Sequence, residues 1–476
     1  MKSSNDFAHQ MSKSKTGICI TLILALFTVY VQPGFAIAPP APKTNAQLLG
    51  GLLGGGGLLP TQRFIVRDTK GLLGLNLTCL VFGCKVLEGI GDPDGQLFVV
   101  TVASLLSPLV LITNLLSGAG ITNVEVDQSV STQGYATVGP IPSYLTDKRP
   151  VSYYGTTVWE GYLLQTPNQI INTAKTQAAF AASGNGVRVA IIDTGVDPDN
   201  TVLQSRLIYG YDFTRNQSGG SEMGDVSQAT AGVVDGSAQP AQLNQATAGV
   251  VDQATAGVVD TSAYKAFGHG TMTAGLVHLV APQAQIMPLK AFHADGTGYA
   301  SDVLRAIYYA VNHGAKVISM SFDFTTPSQE LATAINYATN HGVICVASAG
   351  NDGAMATVYP ASLQNVIDVA STSNNNTPST FSNYGVPPVE LSAPGEAVMT
   401  TYPFNTYAVG WGTSFSAPLV SGTVALMAGT NGLLLNQQKA ASALSHAQPI
   451  PYSQFGAGVL DSYQAVKAWR NSLGLF

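Results

Sequence analysis

Charge is sparse in this sequence. Asp, Glu, Lys and Arg together make up 10% of the 476 residues, the net charge is −6, and no run of one sign occurs. Without a basic stripe there is no electrostatic footprint for nucleic acid, which is excluded as a partner. Cysteine is scarce as well, with four in the chain, too few for the disulfide framework of a small secreted scaffold. Cys345 sits alone in the apolar run VICVASAG, where a small buried thiol is expected. Cys79 and Cys84, spaced C-x4-C, suit a local disulfide, whereas a pair alone makes a poor zinc site. Long apolar runs are missing too: beyond Val31 nothing approaches the roughly 18 to 20 residues that a membrane span needs.

What is present begins with a leader. Lys13 and Lys15 precede GICITLILALFTVYV, and the exit carries Ala36, Ile37 and Ala38 before Pro39 and Pro40. A basic start, a short apolar middle and an A-x-A exit predict a secretory signal peptide over 1–38, which also takes away Cys19. The protein is then expected outside the cell, or in the periplasm of a two-membrane bacterium, with no membrane attachment after cleavage. The Pro- and Gly-rich stretch 39–61 cannot bury a regular face and reads as a linker. Strand-like runs RFIVR, LFVVTV and ITNVEVD, with the amphipathic SLLSPLVLITNLL before the last, predict a small α+β module over 62–128. A Pro- and Tyr-bearing stretch over 129–154 separates it from the rest and suits proteolytic nicking.

Beyond Gly186 the runs VRVAIID, IMPLKAF, KVISMSF, VICVASAG and NVIDVAS alternate with the helical stretches SDVLRAIYYAVNHG and ELATAINYATNHG, closed by Gly314 and Gly342. Continuous apolar strands separated by helices predict an α/β domain over 155–476, a mostly parallel sheet with helices on both faces. Its sites are expected at the carboxyl ends of the strands. Three short stretches there place catalytic residue types beside small residues. In AIIDTGVD, Asp193 ends a buried strand where the chain must turn, although such an Asp can equally cap the turn. In FGHGTMTAGL, His269 lies between Gly268 and Gly270 at a helix start, the glycines leaving room for the imidazole and for a substrate backbone. His278, His293, His313 and His341 have only helix-end or surface contexts. In GTSFSAP, Ser414 enters a small-residue helix near its positive end, with an N-cap as the plain alternative. Together they supply the nucleophile, base and orienting carboxylate that acyl transfer needs.

Through IIDTGVD, GHGTMTAGLV, VAPQAQIMPLKAF, SMSF, SAGNDG, YPASLQNVIDVAS, SAPGE and GTSFSAPLVSG, the sequence from about Val187 onward resembles secreted bacterial serine endopeptidases of the subtilisin family. The chain order Asp, His, Ser is the subtilisin order. The resemblance implies Ser414 as nucleophile, His269 as general base and then acid, and Asp193 as the group that fixes the imidazole tautomer. It implies Asn351, with the Ser414 backbone N–H, as oxyanion donors. It further implies substrate-binding walls at Ser321, Phe322 and Asp323 and at Ala349 and Gly350. Polypeptide substrates, no cofactor for catalysis and a monomer follow from the same likeness. So does an inhibitory propeptide in the 62–128 module, cut within 129–154, the protein being made as a zymogen.

Three departures stand against that pattern. Where relatives carry a glycine-bearing segment after S-M-S, this chain has Phe322, Asp323 and Phe324, which crowd or charge the wall. Asp323 either faces the cleft and favours basic side chains or points to solvent. Phe415 stands where many relatives carry Met, removing an oxidisable thioether beside the nucleophile. Calcium sites are frequent in the family, but no acid cluster here matches one; no metal is assigned, structural calcium is left open, and Asp197 and Asp199 read as solvated turn residues. A catalytically inactive subtilisin-like binding protein is the alternative reading, although all four catalytic positions are filled.

The octapeptide QATAGVVD occurs at 228–235, 245–252 and 253–260, all between Asp193 and His269. So short a period, broken by GSAQPAQLN, cannot stack into a solenoid core. The segment 228–260 is therefore expected to be a surface insertion, tolerated because loop-closure cost grows slowly with length. Its VV pairs could form a hairpin, and its last copy is close enough to His269 to overhang a cleft.

Overall fold

The computed structural model describes residues 59–131, 147–225, 241–243, 246–250, 264–385 and 389–475. The expected signal peptide, nearly all of the linker, and most of the processing stretch and of the repeat insertion lie outside the described residues.

The first module runs β1 (Thr61–Asp68), α1 (Gly71–Phe82), β2 (Cys84–Gly89), β3 (Leu97–Ala103), α2 (Pro108–Leu116) and β4 (Ile121–Val126). Its sheet has the order β2-β3-β1-β4, antiparallel throughout. Strand alternation divides its apolar residues between two cores. Phe64, Val66, Phe98 and Val100 pack under α1 and α2 with Leu75, Leu111 and Leu115. Ile65, Leu97 and Val99 face the other way and join the core of the large domain. The expected pairing of Cys79 with Cys84 is formed and ties the last turn of α1 to β2. After β4 the chain makes β5 (Ser129–Ser131).

A hairpin of β6 (Pro150–Tyr153) and β7 (Thr156–Trp159) leads into the large domain. Its strands are β8 (Arg188–Asp193), β9 (Tyr211–Asp212), β10 (Gln217–Ser218), β11 (Ala241–Leu243), β12 (Ala246–Val250), β13 (Gln285–Lys290) and β14 (Thr297–Tyr299), followed by β15 (Val317–Met320), β16 (Ile344–Ser348), β17 (Ile367–Thr372), β18 (Val389–Pro394), β19 (Val398–Tyr402) and β20 (Thr406–Trp411). The helices that bear on the site are α3 (His269–Val280), α4 (Ala300–Asn312), α5 (Gln329–Asn340) and α6 (Thr413–Asn431). The main sheet has the order β10-β9-β13-β8-β15-β16-β17-β18 and is parallel except at β10. In β8, Val189 and Ile191 enter the core shared with α3 and α6, while Ala190 and Ile192 enter the core shared with α4 and α5. A strand covered on both faces needs an apolar residue at every buried position, which is why VAII after Arg188 reads as an unbroken run. Burial in the same sheet pushes the Cys345 thiol up to about 12 and leaves it inert at neutral pH.

The repeat insertion is not a surface loop alone. β12, inside the middle octapeptide, pairs antiparallel with β20 from Thr247 opposite Trp411 to Val250 opposite Ala408. β11 pairs with β12 as a hairpin, but through Ala241–Leu243 rather than through a second VV pair. β20 leads directly into Gly412 and α6.

Candidate active site

Asp193 is the last residue of β8, at the carboxyl edge of the sheet. Its carboxylate is almost fully buried and takes three donors: Thr194 N–H at 2.7 Å and His269 Nδ1 at 2.7 Å on Oδ1, and Thr273 Oγ at 3.2 Å on Oδ2. An acceptor on Nδ1 fixes the proton there and makes Nε2 the basic nitrogen of the ring. Nε2 is buried with no hydrogen bond to any described residue. His269 opens α3, and its flanking glycines have a packing reason that the sequence reading assigned to substrate. A Cβ on Gly270 would lie 1.9 Å from the Gly195 carbonyl oxygen, and one on Gly268, at φ +86°, would lie 2.3 Å from the Tyr402 ring. Any side chain there would push the histidine helix off the aspartate loop.

Ser414 is the second residue of α6, after Gly412. Its hydroxyl donates to the Ser321 carbonyl at 3.3 Å, and the Ser321 hydroxyl returns a bond to the Ser414 carbonyl at 3.0 Å. The end of β15 and the start of α6 are thereby locked together. Asn351 follows β16 and accepts on Oδ1 from both the N–H and the hydroxyl of Thr413, each at 2.9 Å. With its oxygen committed to Thr413, the donor side of the amide is Nδ2. Phe415 is fully buried, its ring 6.0 Å from that of His269.

The walls are less uniform than expected. Ala349 is buried, and Gly350, at φ +93°, leaves space that a Cβ would contest with Asn383 Nδ2 at 2.5 Å and Asp323 Oδ2 at 3.2 Å. Asp323 therefore borders Gly350, one residue from Asn351. Phe322 does not crowd the wall as its position suggested. Its ring is 1% exposed and packs between Phe292 and Phe324 in the α4 and α5 core, so a contact with substrate would have to come from its backbone.

The Peptidase_S8 model of the subtilase family matches residues 184–458, more than half of the chain. The chain is a subtilase. It is 32% identical over 301 residues to thermitase of Thermoactinomyces vulgaris, an alignment covering 61% of this chain and 92% of thermitase. It is 36% identical over 180 residues to subtilisin BL of Lederbergia lenta, covering 36% of this chain and 66% of that protein. Among solved structures, fervidolysin from Fervidobacterium pennivorans, described as a keratinolytic enzyme related to subtilisin, aligns with a TM-score of 0.63 at 21% identity. That alignment covers 87% of this chain and 62% of fervidolysin, and establishes likeness of fold. As a subtilase the protein is a serine endopeptidase of subtilisin-like α/β fold, from a family that acts on polypeptides.

Four features of this subtilase escaped sequence reading. Glu222, in the polar stretch SGGSEMGD, is fully buried beside the aspartate and histidine loops. Its Oε2 accepts from Gly268 N–H at 2.7 Å and from Thr194 Oγ at 3.4 Å, and its Oε1 accepts from Thr271 Oγ. Lys290, fully buried and paired in register with Asp193, donates to the Thr194 carbonyl at 2.7 Å, the Phe292 carbonyl at 2.6 Å and Asp225 at 2.5 Å. His278 does stand in the last turn of α3, but it is a core residue: it is 1% exposed, and burial lowers its pKa to about 3. Asp197 is likewise buried rather than solvated, accepting from the Asp199 and Phe404 N–H groups. Among the described residues no three His, Cys, Asp or Glu side chains cluster to hold a metal, and no helix is long and apolar enough to cross a membrane.

Proposed function

We propose that this subtilase is a secreted endopeptidase made as a zymogen, inhibited by its own 62–128 module until the connecting stretch is cut. The observation that carries the chemistry is the 2.7 Å pair of Asp193 Oδ1 and His269 Nδ1, which leaves Nε2 as the base. Ser414 attacks the scissile carbonyl while Nε2 takes its proton. The C–N bond then breaks as the imidazolium returns that proton to the leaving amine. Water repeats the sequence on the acyl-enzyme and restores the serine. Asp193 keeps the ring in its tautomer, and Asn351 Nδ2 with the Ser414 N–H holds the oxyanion. Ser321, Asp323, Ala349 and Gly350, with the backbone of Phe322, line the substrate path. This chemistry needs no cofactor, and the protein acts as a monomer.

Support for the inhibitory reading comes from how the module is held. Glu125, in β4, accepts from Ser328 Oγ, Gln329 N–H and Glu330 N–H at the start of α5, at 2.6, 2.8 and 3.2 Å. Asp127 accepts from Ser301 N–H and Oγ at the start of α4, both at 2.9 Å. Two carboxylates thus sit on two positive helix ends of the large domain. Beyond them β5 pairs antiparallel with β14, from Ser129 opposite Tyr299 to Ser131 opposite Thr297, taking the tail along the domain.

A fluorophosphonate probe and N-terminal sequencing of the secreted product test this reading together. Expected are labelling of the wild type, none of Ser414→Ala, and a new N-terminus within 129–154. A folded protein that resists the probe would instead be the inactive binding protein.

A further inference from the structure

We infer that Glu222 is a positioning residue that joins the Asp193 and His269 loops into one unit, an inference that rests on the catalytic roles proposed above. The carboxylate touches three residues, each adjacent or nearly adjacent to a member of the pair. Gly268 precedes His269, Thr271 follows it by two positions, and Thr194 follows Asp193. The Thr194 hydroxyl in turn accepts from Gly270 N–H at 3.0 Å, so the two loops are bonded to each other as well as to Glu222. The first N–H groups of a helix have no partner within it, and at the α3 start Glu222 takes the N–H of the N-cap residue Gly268 while Thr194 takes that of Gly270.

The segment that brings Glu222 in is itself fixed at both sides. A Cβ on Gly195 would meet Glu222 N at 2.7 Å and the Gly220 oxygen at 2.8 Å, so the backbone of 220–222 lies directly on the aspartate loop. Three residues on, Asp225 binds Lys290 and accepts from Ala294 N–H at 2.7 Å, and Lys290 holds the Thr194 carbonyl. Thr194 is thus gripped at its carbonyl and its hydroxyl by groups that this segment supplies or anchors. The same segment precedes the repeat insertion along the chain.

The groups facing Glu222 are mixed: Asp197 opposes its ionisation, Lys290 favours it, and Tyr402 lies against it. Burial dominates and pushes the carboxyl up to about 8. Glu222 therefore changes charge in the alkaline working range of a histidine base, and its ionisation should be visible in the rate.

The test compares wild type with Glu222→Gln and Glu222→Ala on a small peptide substrate from about pH 6 to about pH 10, with thermal unfolding of each. Glu222→Gln keeps the volume and one acceptor. Expected are a loss in kcat of about tenfold or more with KM nearly unchanged, because misplacement of reacting groups by fractions of an ångström costs rate rather than binding. The wild-type inflection near pH 8 should vanish in the same variant. Wild-type kcat and an unaltered pH profile in Glu222→Gln would overturn the inference, as would a lowered unfolding temperature with unaltered kcat. Glu222→Ala is expected to lose more than Glu222→Gln; if it does not fold, the Gln variant still decides. Fluorophosphonate labelling separates the failures: an unreactive wild type overturns the catalytic reading, whereas a reactive wild type matched by Glu222→Gln overturns this inference alone.

Discussion

Oδ1 of Asn351 is held by the N–H and the hydroxyl of Thr413, and the oxyanion role proposed for its Nδ2 carries a first expectation. Asn351→Ala should lower kcat by about 100- to 1000-fold and leave KM nearly unchanged, because the bond to Nδ2 tightens only in the transition state. Steady-state kinetics on one peptide would check it, and a rise in KM at constant kcat would mean that Asn351 binds ground state instead. Phe415 carries a second expectation. Its ring is fully buried near His269, so peroxide has no thioether to oxidise at that position. Residual activity should decay slowly in the wild type and rapidly in Phe415→Met. His278 carries a third. Its folded pKa of about 3 lies below the ordinary value near about 6.5, so the unfolded chain takes up a proton that the folded chain refuses. Its contribution to stability is full above about 6.5 and is lost as pH falls toward 3. The fall in unfolding temperature over that window should be shallower in His278→Gln than in wild type.

At the scale of elements, the starts of α4 and α5 are completed by acids from the first module, Asp127 and Glu125. Losing a cap costs about 1 kcal/mol in typical helices, so Glu125→Ala should loosen the module about fivefold or more, read as faster appearance of activity after the cut. An unchanged time course would show that the apolar seam through Ile65, Leu97 and Val99 holds the module alone. Elements that bury a regular face were legible: β8 as an unbroken apolar run, α4 and α5 as periodic stretches ending before Gly314 and Gly342. α1 was not, because it is apolar all round, with Leu73 and Leu80 exposed while Leu75 and Cys79 are buried. The same limit applied at the site. Asp193, His269 and Ser414 announce themselves by the small residues packed around them. Glu222 stands in a glycine- and serine-rich stretch whose only distinguishing property, burial against loops far along the chain, is tertiary. Phe322 was misplaced for a different reason: its motif position was right, but just past the end of β15 its ring packs into the core between Phe292 and Phe324.

Across the whole molecule the two modules meet at a seam in which charge is partly buried. Arg67 binds Glu330 through two nitrogens at 2.5 and 3.1 Å, and Arg305 reaches Glu88 at 3.0 Å. Asp302 lies in the same seam, 3.3 Å from Arg305. Burial pushes its carboxyl up to about 7, with Asp127 and Glu88 adding to the rise and Arg305 and Arg63 opposing it. Opening the seam lets water reach Asp302, whose pKa then returns toward the ordinary carboxylate value near about 4. The closed seam therefore binds the proton more tightly than the open one. It follows that Asp302 favours the seated module at acid pH, and that this contribution is lost as pH rises from about 4 through about 7. After the connecting stretch has been cut, the module should leave faster at about pH 8 than at about pH 5. Asp302→Asn removes the titration while keeping the shape, so its release rate should depend less on pH over that interval. Release can be followed as the gain of activity toward a peptide or by separation of the two pieces on a sizing column. An equally steep dependence in Asp302→Asn would assign the effect to other seam groups, with Glu88 the first to replace, since it faces both Asp302 and Arg305.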